Sequence, residues 1–162
     1  MQDVVIVSGA RTPVGSFGGG LKDVLASDLG VVAIKAAIER AGIAASDVEE
    51  IVLGNALQAS ESGYSARLAG LKAGIPDETT AIAINRQCSS GLEAINIAAQ
   101  LIRTGEVDVA IAGGIENMSQ SPYMLDPSAR FDGFRMGDST VIDSLVEGLD
   151  ADVFHPGINQ IA

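Results

Sequence analysis

With 162 residues, 47% of them apolar, 4% aromatic and none tryptophan, the chain has material for one main domain with a core of Ala, Val, Ile and Leu. Its net charge of -11, from 10 Lys and Arg against 21 scattered Asp and Glu, argues against nucleic acid as a partner, since phosphate neutralisation needs clustered cations. A single cysteine cannot form an internal disulfide, no Cys or His cluster has metal-ligand spacing, and no apolar run approaches the roughly 20 residues of a membrane span.

The lone cysteine makes a reducing, cytoplasmic setting the default expectation, and the N-terminus MQDVVIVSGARTP carries an acid at position 3 and too short an apolar run for a signal peptide. DVVIVS, residues 3–8, is a β-branched run that predicts a strand buried on both faces. From Asp28 to Ala41, Val31, Ile34 and Ile38 recur at helical spacing, with Ser27 or Asp28 as N-cap and Gly42 as stop. EEIVLGNAL predicts a second strand around Ile51 to Leu57, and SARLAGLKAG a short helix that closes at Gly74 before Pro76.

TTAIAIN, Thr79 to Asn85, predicts a third strand. The helix expected from Gly91 to Arg103 places Leu92, Ile95, Ala98 or Ala99, and Ile102 on one face, and Gly105 stops it. VDVAIAGG, Val107 to Gly114, predicts a fourth strand. Three strand-helix cycles predict an α/β domain with a mainly parallel sheet, right-handed crossovers and flanking helices. After Met118 the pattern changes: SQSPYMLDPSARFDGFRMGD has prolines, aromatics and no sustained period, and predicts a loop-rich excursion. A short helix is expected after it, capped by Asp138 or Ser139 and carrying Val141, Leu145 and Leu149.

The one cysteine, in NRQCSSGLEAINIAAQ, is the candidate nucleophile. A lone cysteine is more often inert core packing. Cys88, however, falls between the TTAIAIN strand and the following helix, at the carboxyl edge of the expected sheet, where open α/β sheets bind ligands. A helix N-terminus presents unpaired N–H groups and partial positive charge, which stabilise a thiolate and an oxyanion formed on its attack. A base is not apparent nearby, because the only histidine, His155, lies in the irregular tail.

NRQCSSGLEAI resembles the nucleophile segment of thiolases, the acetyl-CoA and 3-ketoacyl-CoA acyltransferases. SGARTPVGSFGGGLKDV, Ser8 to Val24, resembles that family's N-terminal signature, and AGGIENMSQSPY, Ala112 to Tyr123, resembles the segment leading into its loop domain. RMGD, Arg135 to Asp138, and the histidine of FHPG also have family counterparts, so the match covers nearly the whole chain.

The resemblance implies a thiolase-like half-domain in residues 1–118, incomplete for want of its last strand, and the start of a loop domain in residues 119–162. It implies that Cys88 becomes acylated in thiolytic cleavage of 3-ketoacyl-CoA or in condensation of two acyl-CoA molecules. Acyl-CoA and coenzyme A would then be substrates, with no further cofactor and no metal. It also implies a homo-oligomer. The family's catalytic histidine, second cysteine and asparagine-held water lie in a C-terminal half, which this chain would need in cis or from a partner chain. Met118 and, more weakly, His155 are the expected substrate contacts. HPG at His155 to Gly157 departs from the family, which has methionine between the histidine and the glycine.

Other condensing enzymes, of the ketoacyl synthase or hydroxymethylglutaryl-CoA synthase type, also place a cysteine at a helix start, although RTPVGSFGGGL argues against both. A non-catalytic thiolase-like interaction subunit is the alternative outside catalysis. SFGGGL reads as a structural turn rather than a phosphate loop, since it lacks a Walker lysine. Glu116 and Asn117 either polarise or orient the site or, the reading preferred, fix their loop by hydrogen bonding. Met118, Met124, Phe131 and Met136 either line an acyl channel or form a small core of the excursion, and Arg130 and Arg135 read as solvated loop charges.

Overall fold

A computed structural model of the chain describes residues 3–59 and 61–150. In chain order it contains α1 (Ala26–Ala41), β1 (Glu50–Gly54), α2 (Ser65–Ala73), β2 (Thr80–Ile84), α3 (Ser90–Thr104) and β3 (Ala110–Gly114). A hairpin of β4 (Tyr123–Leu125) and β5 (Val141–Asp143) follows, and then α4 (Ser144–Asp150). The first three strands form a parallel sheet in the order β2-β1-β3, with Glu50, Ile51 and Val52 level with Thr80, Ala81 and Ile82 on one side and Ala110, Ile111 and Ala112 on the other. This is the α/β architecture with a parallel sheet and flanking helices expected from the alternating pattern.

β1 is central, and every one of its residues is buried. Successive side chains of a strand point to opposite faces, so Ile51 and Leu53 meet Ile34 and Ile38 of α1 and Ala66, Ala69 and Ala73 of α2. Val52 points the other way, against Ala94 and Ala98 of α3. The result is three layers, with α1 and α2 below the sheet and α3 above it. The expected stops hold: Gly42, Gly74 and Gly105 end α1, α2 and α3 with left-handed backbone, a conformation in which glycine carries no steric penalty.

Three expectations are corrected. Residues 3–8 join no ladder, and Val5, Ile6 and Val7 are 74%, 83% and 70% exposed rather than buried. The segment is tied instead to α1, where Ser8 Oγ donates to Ala37 O at 2.6 Å and Arg40 Nη1 donates to Gly9 O at 2.8 Å. An apolar slot of about 390 Å³ separates residues 4–10 from the outer edge of β3; Ile34, Ile38, Ile95 and Ile111 are among its walls.

On α3, the side facing the sheet is Ala94 and Ala98, flanked by Ile97 and Leu101, while Leu92 and Ile95 of the predicted face are 65% and 41% exposed. The helix is apolar around much of its circumference, and the small alanines permit the closest approach. The predicted short helix begins later than expected: Val141 belongs to β5, paired opposite Leu125, and Asp143, not Asp138 or Ser139, caps α4 by accepting from Leu145 N at 2.9 Å.

Candidate functional site

Three chain turns meet at the carboxyl edge of the sheet: residues 55–57 after β1, 85–89 after β2 and 115–117 after β3. Cys88 sits on the second of these and is exposed, so no residue of the described chain buries it. Its turn is closed by Ser89 N donating to Arg86 O at 3.2 Å and Ser90 N donating to Gln87 O at 3.0 Å. Those two amides are therefore committed to the turn. The buried Ser90 adds a second layer, with its Oγ donating to Gln87 O at 2.6 Å and accepting from Arg86 N at 2.7 Å. Gln87, directly before the cysteine, has φ +52°, the left-handed region that non-glycine residues rarely occupy.

The turn can lie this close to the sheet because β1 ends in glycine. A Cβ on Gly54 would fall 2.4 Å from the carbonyl carbon of Ser90 and 2.6 Å from the nitrogen of Gly91. Arg86 reaches forward along α3 to pair with Glu93 at 2.7 Å.

Glu116 and Asn117 act as loop anchors, as expected. The Glu116 carboxylate accepts from Ala56 N at 2.8 Å, from Leu57 N at 3.1 Å and from Asn55 Nδ2 at 2.9 Å. Burial pushes its carboxyl above the ordinary range, partly opposed by the Leu57 and Ala56 amides and by the Asn55 side chain. Asn117 Nδ2 donates to the carbonyls of Leu21, Lys22 and Val24, fastening the segment before α1, and its Oδ1 accepts from Ser119 N. Gly18 N donates to Ser119 Oγ at 3.0 Å, so SFGGGL is a turn held against this loop.

Met118 lines a cavity of about 460 Å³ together with Glu116, Asn117 and residues 10–17; Cys88 is not part of that lining. The structure thus places Cys88 after β2 and Met118 just past the turn after β3, at one sheet edge with the turn after β1 between them, without bringing them into one cavity. Phe131 and Met136 are exposed and form no core within the excursion. His155 lies outside the described residues. Sequence reasoning did not single out Asn55 or Asn85, although both are polar residues directly after a strand, which is the available signal.

Among the described residues, no group of three His, Cys, Asp or Glu is placed to hold a metal ion, and no helix is long and apolar enough to cross a membrane.

The sequence pattern described as "Thiolase, N-terminal domain" matches residues 4–157. The chain is 49% identical over 150 residues to an acetyl-CoA acetyltransferase of Cupriavidus necator, covering 92% of this chain and 38% of that protein. It is 46% identical over 161 residues to a probable acetyl-CoA acyltransferase of Staphylococcus aureus, covering 98% of this chain and 40% of that one. The crystal structure of the Bacillus anthracis acetyl-CoA acetyltransferase superimposes with a TM-score of 0.85 at 40% identity, over 93% of this chain and 38% of that chain. The chain spans about two fifths of the length of these relatives.

Proposed function

The chain belongs to the thiolase family, and from that premise we propose that it is the nucleophile-bearing part of an acyl-CoA acyltransferase, with Cys88 as the residue that becomes acylated. The observation that carries this reading is the exposed Cys88 on the strand-to-helix turn, at the sheet edge where α/β folds bind ligands.

In the degradative direction the Cys88 thiolate attacks the keto carbon of a 3-ketoacyl-CoA. A sulfur–carbon bond forms, the bond between that carbon and the neighbouring α-carbon breaks, and the electron pair leaves on the enolate of acetyl-CoA, which is then protonated. The thiol of coenzyme A next takes the acyl group and returns the cysteine. Run in reverse, the same steps condense two acyl-CoA molecules. Dividing a carbon–carbon cleavage into two acyl transfers is what covalent catalysis contributes.

By the family's pattern the base and the remaining oxyanion donors are assigned to a C-terminal portion, in cis or on a partner chain. The chain alone is therefore read as inactive. Residues 119–162 are read as the start of the loop domain, and Met118 as a contact to the substrate from the same sheet edge as Cys88. A strand of the C-terminal portion is the occupant proposed for the slot between residues 4–10 and β3, whose apolar walls and unpaired strand edge suit it. The opposite edge strand, β2, exposes Thr80 and Ile82 and is the surface proposed for pairing with a second copy. A reducing, cytoplasmic setting suits an enzyme that depends on a free exposed thiol.

The test is to treat the complete protein containing this chain with acetyl-CoA and map the modified peptide by mass spectrometry. An acetyl group on the peptide holding Cys88, absent from a Cys88→Ser variant, is the expected result. Acetylation that persists in the serine variant at another residue, or none at all, overturns the reading.

A further inference from the structure

We propose that Asn85 is a positioning residue for Cys88, holding the nucleophile turn in its left-handed conformation and tying it to the turn after β1. The proposal rests on the reading of Cys88 as the acylated residue. Asn85 is exposed, so it contributes nothing to the core, yet both ends of its amide are engaged. Its Oδ1 accepts from Gln87 N at 3.0 Å, and its Nδ2 donates to Ala56 O at 2.9 Å. The first bond closes a side-chain turn over Arg86 and fixes the residue whose φ of +52° aims the chain into Cys88. The second joins that turn to a neighbour that is itself immobilised, because the N–H groups of Ala56 and Leu57 donate to the half-buried Glu116 carboxylate.

Asn55 completes the frame. Its Nδ2 donates to Glu116 Oε1 and to Ile115 O, and its Oδ1 accepts from Ser65 Oγ at 2.8 Å. A continuous set of hydrogen bonds thus runs from the turn after β3, through the turn after β1, to the peptide before the cysteine. Glutamine gains little from the left-handed region on its own; Ser90 holds its carbonyl, and Asn85 holds its N–H, which is the contact that selects this conformation from the other side. A nucleophile displaced by about 1 Å loses up to roughly a hundredfold in rate, which is the lever Asn85 controls.

The experiment measures the rate of Cys88 acylation by acetyl-CoA at saturating concentration, with the apparent affinity for acetyl-CoA and the thermal midpoint, in the complete protein. Asn85→Ala is expected to acylate roughly 10- to 100-fold more slowly with unchanged affinity and melting. Asn85→Asp, which keeps the acceptor for Gln87, is expected to be faster than Asn85→Ala. Adding Gln87→Gly to Asn85→Ala is expected to recover most of the rate, since glycine holds a positive φ without help. An unchanged rate in Asn85→Ala overturns the proposal while leaving the thiolase reading intact. So does failure of Gln87→Gly to restore it, or equal loss in the alanine and aspartate variants. Absence of acylation in the unaltered protein overturns the thiolase reading and this one with it.

Discussion

Gly54 occupies a position with no room for a side chain, because the first turn of α3 lies directly on the end of β1. A Gly54→Ala variant has to push Ser90 and Gly91 away from the sheet, and these residues adjoin Cys88. We predict a loss of about 1–3 kcal/mol in a urea titration, the usual cost of overpacking, together with slower acylation of Cys88.

Glu116 supports a second prediction at the same scale, from the direction of its titration. Burial raises its folded pKa above the ordinary 4.5. Between 4.5 and the raised value the folded state binds more proton than the unfolded state, so stability falls as pH rises through that window. Glu116→Gln cannot titrate. Urea unfolding across a pH series is therefore expected to show the unaltered chain losing stability relative to the variant as pH climbs above 4.5.

Among the elements, α1 depends on a residue far along the chain. No side chain within its own first turn caps it. The Glu61 carboxylate does so instead, accepting from Ser27 N at 2.8 Å and from Ser27 Oγ, with the Lys72 ammonium 3.7 Å away. Lys72 also bonds Asp28 at 2.8 Å, so the loop before α2 and α2 itself are both fastened to the start of α1. Replacing a capping acceptor costs about 0.5–2 kcal/mol, and Glu61→Ala is expected to lower the denaturation midpoint accordingly. The sequence offered Ser27 or Asp28 as the cap because capping is ordinarily local. Nothing in the spacing of residues 27 and 61 signals that the two meet.

For the molecule as a whole, the slot beside β3, lined by the exposed Val5, Ile6, Val7 and Ile95, forms apolar surface along one edge of the sheet. Contiguous apolar surface of this kind marks an interface. With a strand of the C-terminal portion seated in the slot, the backbone of residues 4–10 becomes hydrogen-bonded. Hydrogen exchange is expected to be fast at residues 4–10 in the isolated chain and slow in the complete protein. Equal exchange in both would show that the slot stays unfilled.

How much was legible in the sequence depended on how local each cause was. The strands TAIAI and EIVLG, the helices between them and the glycine stops follow from periodicity and backbone chemistry within a few residues. The place of Cys88 between β2 and α3 followed for the same reason. Tertiary structure alone decided which side of α3 is buried, because several of its faces are apolar and only the fit of Ala94 and Ala98 on the sheet selects one. It also decided that residues 3–8 stay unpaired, since a β-branched run is extended by its own chemistry but becomes a strand of a sheet only beside a neighbour. The link from Asn85 to Ala56, 29 residues apart, is of the same kind. The sequence by itself determined that a cysteine stands at a sheet edge; the meeting of three turns determined what holds it there.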